Sequence, residues 1–363
     1  MMIKPIQKVI LISFLLLINS CITQFVPKTN EDKKILVVEG LITDQQDTNT
    51  IKLSKSLPLG TRSDANPLKG CTVTISDDLG NIFSLTEANA GSYVTDPANF
   101  QGVIGRFYTL HINTNVANNN HNYESSPVAL KPVPPIDSVY YEKVTLQENN
   151  GISTQEGCQI YLNTHDPINQ TKFYRWEYSE TWEFHLPETY KPTNIRCWVS
   201  SNSNEINIKN ASVLEESRID RYPLNFISNL TDRLRIKYSI LVNQYSLNEN
   251  EYFYWEKLQN ISEQVGGLYD MIPSGITSNV YCLNDPNEKV LGYFSVSARS
   301  SKRIFIKDHF AGVVTPYTDD ACIIYTTIII GNSSIKNSTF VKGCIDCTVR
   351  GTKTKPEFWN ADK

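Results

Sequence analysis

Beyond its first twenty residues the sequence has no apolar run approaching the ~20 residues that a helix needs to cross a bilayer. No membrane-spanning helix is therefore expected in the body of the chain. There is no block of basic residues, and a net charge of −4 over 363 residues offers no electrostatic footprint for nucleic acid. Histidine is scarce. The five present, His111, His121, His165, His185 and His309, include no i, i+4 pair for a helical metal site. None of G-x-S-x-G, H-E-x-x-H, the P-loop pattern or G-x-G-x-x-G occurs, so the common hydrolase, metalloprotease and nucleotide-binding signatures are missing. No catalytic centre, metal ligand set or cofactor is expected from these patterns, although a triad of distant residues is recognised by geometry and not by spacing. The best polar cluster, His165-Asp166-Pro167, reads as a turn.

What is present starts at the N-terminus. Lys4 and Lys8 precede a short run, Val9 to Ile18, that is apolar except for Ser13; Asn19 and Ser20 then lead into Cys21. A basic n-region, a short apolar h-region and small residues at the cut describe a secretory signal, 1–20, instead of a membrane span. Ile18-Asn19-Ser20-Cys21 resembles a bacterial lipobox, in which Cys21 becomes the lipidated first residue of the mature chain. An unmodified thiol at an exposed N-terminus would be a reactive liability. Two or more acyl chains hold a protein stably to membrane, where one does not. Ile22 is not the aspartate that often retains such proteins in the inner membrane, so an outer-membrane location is expected. Its cell-surface face is preferred to its periplasmic face, although no acid follows Cys21 before Glu31.

A content of 40% hydrophobic and 20% charged residues is that of a folded globular chain. About 340 mature residues exceed what one core usually serves, which favours two domains. With Cys21 lipidated, seven cysteines are left, an odd number that cannot all pair within the chain. Cys344 and Cys347 are a close pair, and Cys322 lies across an apparent hairpin from them. A disulfide within this group of three is expected ahead of free thiols or a metal. Zinc would need a second pair or nearby histidines.

Residues 21–34 read as a polar tether carrying the lipid. From Ile35 onward, short β-branched segments recur with turns every 8–12 residues, and TVTISDDLGNIFSLTE is a hairpin around Asp77–Asn81. Residues 35–130 thus predict an immunoglobulin-like β-sandwich. Lys131-Pro-Val-Pro-Pro135 is a stiff, extended boundary. Residues 136–363 predict a larger β-rich domain with one main α-helix near 247–265. For that helix Ser246 and Glu249 suggest a capping box, and Trp255, Leu258, Ile261 and Val265 recur at helical spacing. The fold class is mainly β.

The strongest strand, FYRWEYSETWEF, places Tyr174, Trp176, Tyr178, Glu180, Trp182 and Phe184 on one face and Phe173, Arg175 and Glu177 on the other. The aromatic face has two readings. It is either the core, or an exposed platform of Tyr174, Trp176, Tyr178, Glu180 and Trp182 for a small molecule, peptide or glycan. The C-terminal Lys355-Pro-Glu-Phe-Trp359 is expected to dock on the fold.

Taken in order, several segments resemble one family over nearly the whole chain. They are Cys21-Ile22, Val37-Val38-Glu39-Gly40-Leu41-Ile42-Thr43, Pro134-Pro135-Ile136-Asp137-Ser138-Val139, Tyr174-Arg175-Trp176, Gln244-Tyr245-Ser246-Leu247, Asn284-Asp285-Pro286, Leu291-Gly292-Tyr293-Phe294 and Cys344-x-x-Cys347. The family is DUF4249, lipoproteins of Bacteroidota with no assigned function. The resemblance implies an outer-membrane lipoprotein linked to a TonB-dependent barrel transporter as a non-catalytic binding or accessory subunit. It supplies no catalytic residue. The competing expectation is a structural or adhesive surface lipoprotein with β-sandwich spacers.

Overall fold

The computed structural model describes residues 34–57, 66–114, 121–147, 154–264, 275–330 and 333–360. The signal 1–20, the lipidation site Cys21 and all but the last residue of the tether lie outside them. The chain is mainly β, built as two sandwiches, and no helix among the described residues is long and apolar enough to cross a membrane.

In the first sandwich one sheet runs in the order Val290–Val296, Leu36–Ile42, Thr50–Lys55, Ser92–Val94, Thr86–Asn89. The other runs Val280–Cys282, Asn122–Ser125, Phe107–Asn113, Thr72–Asp77, Ile82–Ser84. Alternation drives the packing. Leu36, Val38, Ile42, Ile51 and Leu53 of one sheet and Val73, Ile75, Leu110 and Ile112 of the other meet in a single core. The predicted hairpin forms, and Asp77 Oδ1 closes its turn by accepting from the backbone N–H groups of Leu79 and Asn81.

This domain is not contiguous in sequence. Residues 280–298, which a linear division places in the second domain, supply an edge strand to each sheet, and Val280, Cys282, Val290, Phe294 and Val296 join its core. Val290–Val296 lies parallel to Leu36–Ile42, pairing Leu36 with Val290 and Ile42 with Val296. Gly292 allows this approach. It has φ +87°, and a Cβ there would sit 1.9 Å from the Val38 carbonyl oxygen, so no other residue fits without displacing the strand.

The second sandwich packs the sheet Ile136–Gln147, Thr154–Thr164, Ile219–Ser228 against the sheet Arg196–Asn202, Phe173–His185, Lys237–Ser246, Arg299–Ile306. Its core holds Ile160, Leu162, Ile227, Tyr238, Ile240 and Val242 together with the aromatic face of Phe173–His185. That settles the two readings of this face. Tyr174 and Trp176 are fully buried, Tyr178, Glu180 and Trp182 nearly so, and no exposed ligand platform exists there. Glu180 is structural: Arg233 Nη1 donates to both carboxylate oxygens at 2.8 and 3.0 Å, and the Tyr238 hydroxyl donates to Oε2 at 2.8 Å. Arg233→Met is therefore expected to cost about 2 kcal/mol, because it leaves a buried carboxylate with one donor. A urea-unfolding midpoint measures this, and a change below about 0.5 kcal/mol would fit an exposed, weakly engaged Glu180 instead.

The C-terminal segment is stapled to this domain. Cys197 is bonded to Cys347, and Cys322 to Cys344. Cys347 thus pairs neither with its close neighbour nor with Cys322, because Cys197 on Arg196–Asn202 stands opposite it. Trp359 is buried, its indole N–H donating to Glu183 and its carbonyl accepting from Lys237.

The main helix is Glu249–Gln264. Ser246 does not cap it. That residue ends a strand, and its hydroxyl donates to the Lys131 carbonyl at 2.9 Å. In the first turns Glu251, Tyr252 and Tyr254 are buried, while Leu258 and Ile261 farther along are only half-buried. Val265 lies outside the described residues.

Candidate functional site

The two sandwiches are tied where the chain crosses between them. Ser297 donates to the Ser246 carbonyl at 2.6 Å, Gln244 donates to the Pro134 carbonyl at 2.9 Å, and the Arg299 guanidinium pairs with Asp47. Beside these ties a cleft of about 290 Å³ opens between both domains and the helix.

Each wall follows from strand or helix periodicity. In the first domain the inward positions Val38, Ile51 and Phe294 serve the core, so their neighbours Glu39, Lys52, Tyr293 and Ser295 point outward and make the floor. Register puts Glu39 directly between Lys52 and Tyr293 on adjacent strands. In the second domain Tyr174, Trp176 and Tyr178 face the core, so Arg175 and Glu177 face the cleft. The helix adds Tyr254 and Trp255 to the wall, and Glu251, three and four residues before them, lies on the same side behind it.

Arg175 is the hub. It is paired with Glu177, and its guanidinium stacks 3.7 Å from the centre of the Trp255 ring. Behind it Glu251 is fully buried. Its Oε1 accepts from the Trp255 indole N–H at 3.4 Å, and no hydrogen bond of ordinary geometry reaches Oε2. Burial pushes the Glu251 carboxyl up to about 7, against the opposing pull of Ser295, Arg175 and Trp255. Tyr254 packs 4.8 Å from Tyr293, and burial raises its phenol to about 12, with Glu39 adding to the rise. Burial raises the Tyr293 phenol as well. The cleft thus offers stacking rings, a fixed cation, a second cation on Lys52, two carboxylates at its wall and floor, and a third behind them whose charge changes near neutral pH.

A family described as a domain of unknown function (DUF4249) matches residues 22–303. The chain belongs to that family. No curated protein matches it. The DUF4249 match includes every residue of the cleft and ends inside the strand Arg299–Ile306, so the hairpin of Ile323–Ile330 with Ser333–Phe340 and the disulfide-bonded tail lie beyond it.

Of the residues singled out by sequence, the aromatic ones on Phe173–His185 are core, and the opposite face of that strand carries the site. His165 is held by Asp137 at 2.7 Å beside a turn that Asp166 closes by accepting from Ile168, Gln170 and Thr171, which is structural work. No sequence spacing marks the cleft. Its residues are drawn from five stretches between Glu39 and Ser295, and only strand alternation, read for both faces, points to Arg175 and Glu177.

Proposed function

We propose that this protein is an outer-membrane lipoprotein, held by lipid on Cys21, whose interdomain cleft makes it a non-catalytic binding or accessory subunit of a TonB-dependent uptake system. The observation carrying the reading is the cleft itself. Its lining supplies aromatic rings and fixed charges suited to a polar small molecule, short peptide or glycan. The interdomain hydrogen bonds and ion pair beside the cleft hold its walls in place before a ligand arrives, which reduces the ordering cost of binding. The family match starting one residue after Cys21 supports a mature chain that begins at the lipid.

Two experiments test this. Labelling cells with a radioactive fatty acid is expected to mark the wild type and not Cys21→Ala, which should leave the membrane fraction. Equal labelling of both would remove the anchor. Glu39→Ala with Lys52→Ala changes exposed residues and is expected to leave stability within about 0.5 kcal/mol. The same pair should weaken ligand or partner capture tenfold or more, and unchanged capture would move the binding surface elsewhere.

A further inference from the structure

We infer that His121, Cys282 and Glu288 form a zinc site at the edge of the first sandwich. These side chains are 161 and 6 residues apart in sequence, yet one ligand atom from each lies within 4.8 Å of the others. His121 Nδ1 is 3.4 Å from the Cys282 sulfur and 2.9 Å from Glu288 Oε2. In a tetrahedral zinc site, nitrogen and sulfur ligands are about 3.5 Å apart, so the nitrogen–sulfur pair is already at ligand spacing. The nitrogen–oxygen pair must open by a few tenths of an ångström.

The donor set selects the metal. One thiolate, one imidazole and one carboxylate suit zinc, whereas calcium and magnesium require oxygen ligands. Thiolate and carboxylate together neutralise the ion. Three protein ligands leave a fourth position for water or an incoming group, and the partial exposure of His121 and Glu288 gives it access.

The surroundings orient the ligands. The Tyr123 hydroxyl donates to Glu288 Oε1 at 2.6 Å, which leaves Oε2 directed at His121. The backbone N–H groups of Asn284 and Asp285 turn toward the Cys282 sulfur. Asn122 N–H donates to Asn284 Oδ1 at 2.6 Å, which fixes the turn that carries these amides. Zinc here clasps the returning segment 280–288 to the strand Asn122–Ser125, which is the pairing that closes the second sheet of the first domain.

Zinc titration of the full chain, purified in detergent and stripped of metal, tests this. The expected result is one zinc per chain, protection of Cys282 from alkylation, and, with cobalt in place of zinc, a thiolate-to-metal charge-transfer band. Cys282→Ser should abolish that band, Cys71→Ser should keep it, and Tyr123→Phe, which retains the ring, should weaken zinc binding about tenfold. The absence of stoichiometric zinc, a cobalt spectrum with no thiolate band, or unchanged Cys282 alkylation would each overturn the assignment. The cobalt and alkylation measurements use the wild type, so they stand even where a variant misfolds.

Discussion

Removing the Cys197–Cys347 disulfide is expected to lower stability by about 4 kcal/mol. The bond closes a loop of 150 residues, the longer of the two loops that disulfides close among the described residues. Chain-entropy arguments give about 5 kcal/mol for a loop of that length, and measured losses usually fall somewhat below this. Both cysteines are fully buried, so the Cys197→Ala/Cys347→Ala pair leaves no stranded polar group. The bond also anchors the tail, whose backbone bridges Trp198 to Thr352 and Asn194 to Asp346. The predicted observation is a lower urea midpoint, with a larger drop when reducing agent breaks both disulfides of the wild type. Loss of Cys322–Cys344, with a separation of 22, should cost less, about 3 kcal/mol. Equal midpoints for wild type and the Cys197/Cys347 variant would show that this bond does not hold the domain together.

Glu251 makes the second large prediction, a stability that falls as pH rises. In the unfolded chain this carboxyl titrates at its ordinary value near 4.5, whereas burial raises it to about 7 in the folded protein. Between these values the folded state binds the extra proton, so raising pH through this window favours unfolding. The full difference amounts to about 3 kcal/mol between pH 4.5 and 8. Glu251→Gln keeps the shape and removes the charge. It is expected to match the wild type near pH 4.5, to be more stable at pH 8, and to lack the wild type's decline between them. Parallel stability curves for the two proteins would mean that Glu251 is not buried as a titrating group. Because Trp255 donates to this carboxyl and carries the Arg175 guanidinium on its ring, ligand capture in the cleft should vary over the same pH range.

Much of the fold is legible in the residues. Alternation on Phe173–His185 and Lys237–Ser246 and the Asp77–Asn81 turn each act locally, and local signals survive in a single sequence. The helix is legible as well, but its capping residues are not. Ser246 satisfies the capping pattern, yet the strand before it and the Lys131 carbonyl claim it first. The return of 280–298 to the first sandwich is a long-range pairing, signalled only by the left-handed Gly292. The cleft and the His121–Cys282–Glu288 group depend on that return. Neither exists until residues more than a hundred positions apart meet, so no motif of fixed spacing could show them. The aromatic face of Phe173–His185 drew attention because large rings stand out, although burial of rings is their commonest use. The charged face of the same strand carries the cleft.

The most direct measurement of the proposed role is the partner. Full-length, lipidated protein extracted from its own membranes in mild detergent is expected to co-purify with a TonB-dependent barrel in fixed ratio, and the Glu39→Ala/Lys52→Ala variant should lose that barrel or its cargo while remaining folded. Recovery of the lipoprotein alone, or bound only to extracellular polymer with no barrel present, would contradict the account and favour an adhesive surface protein.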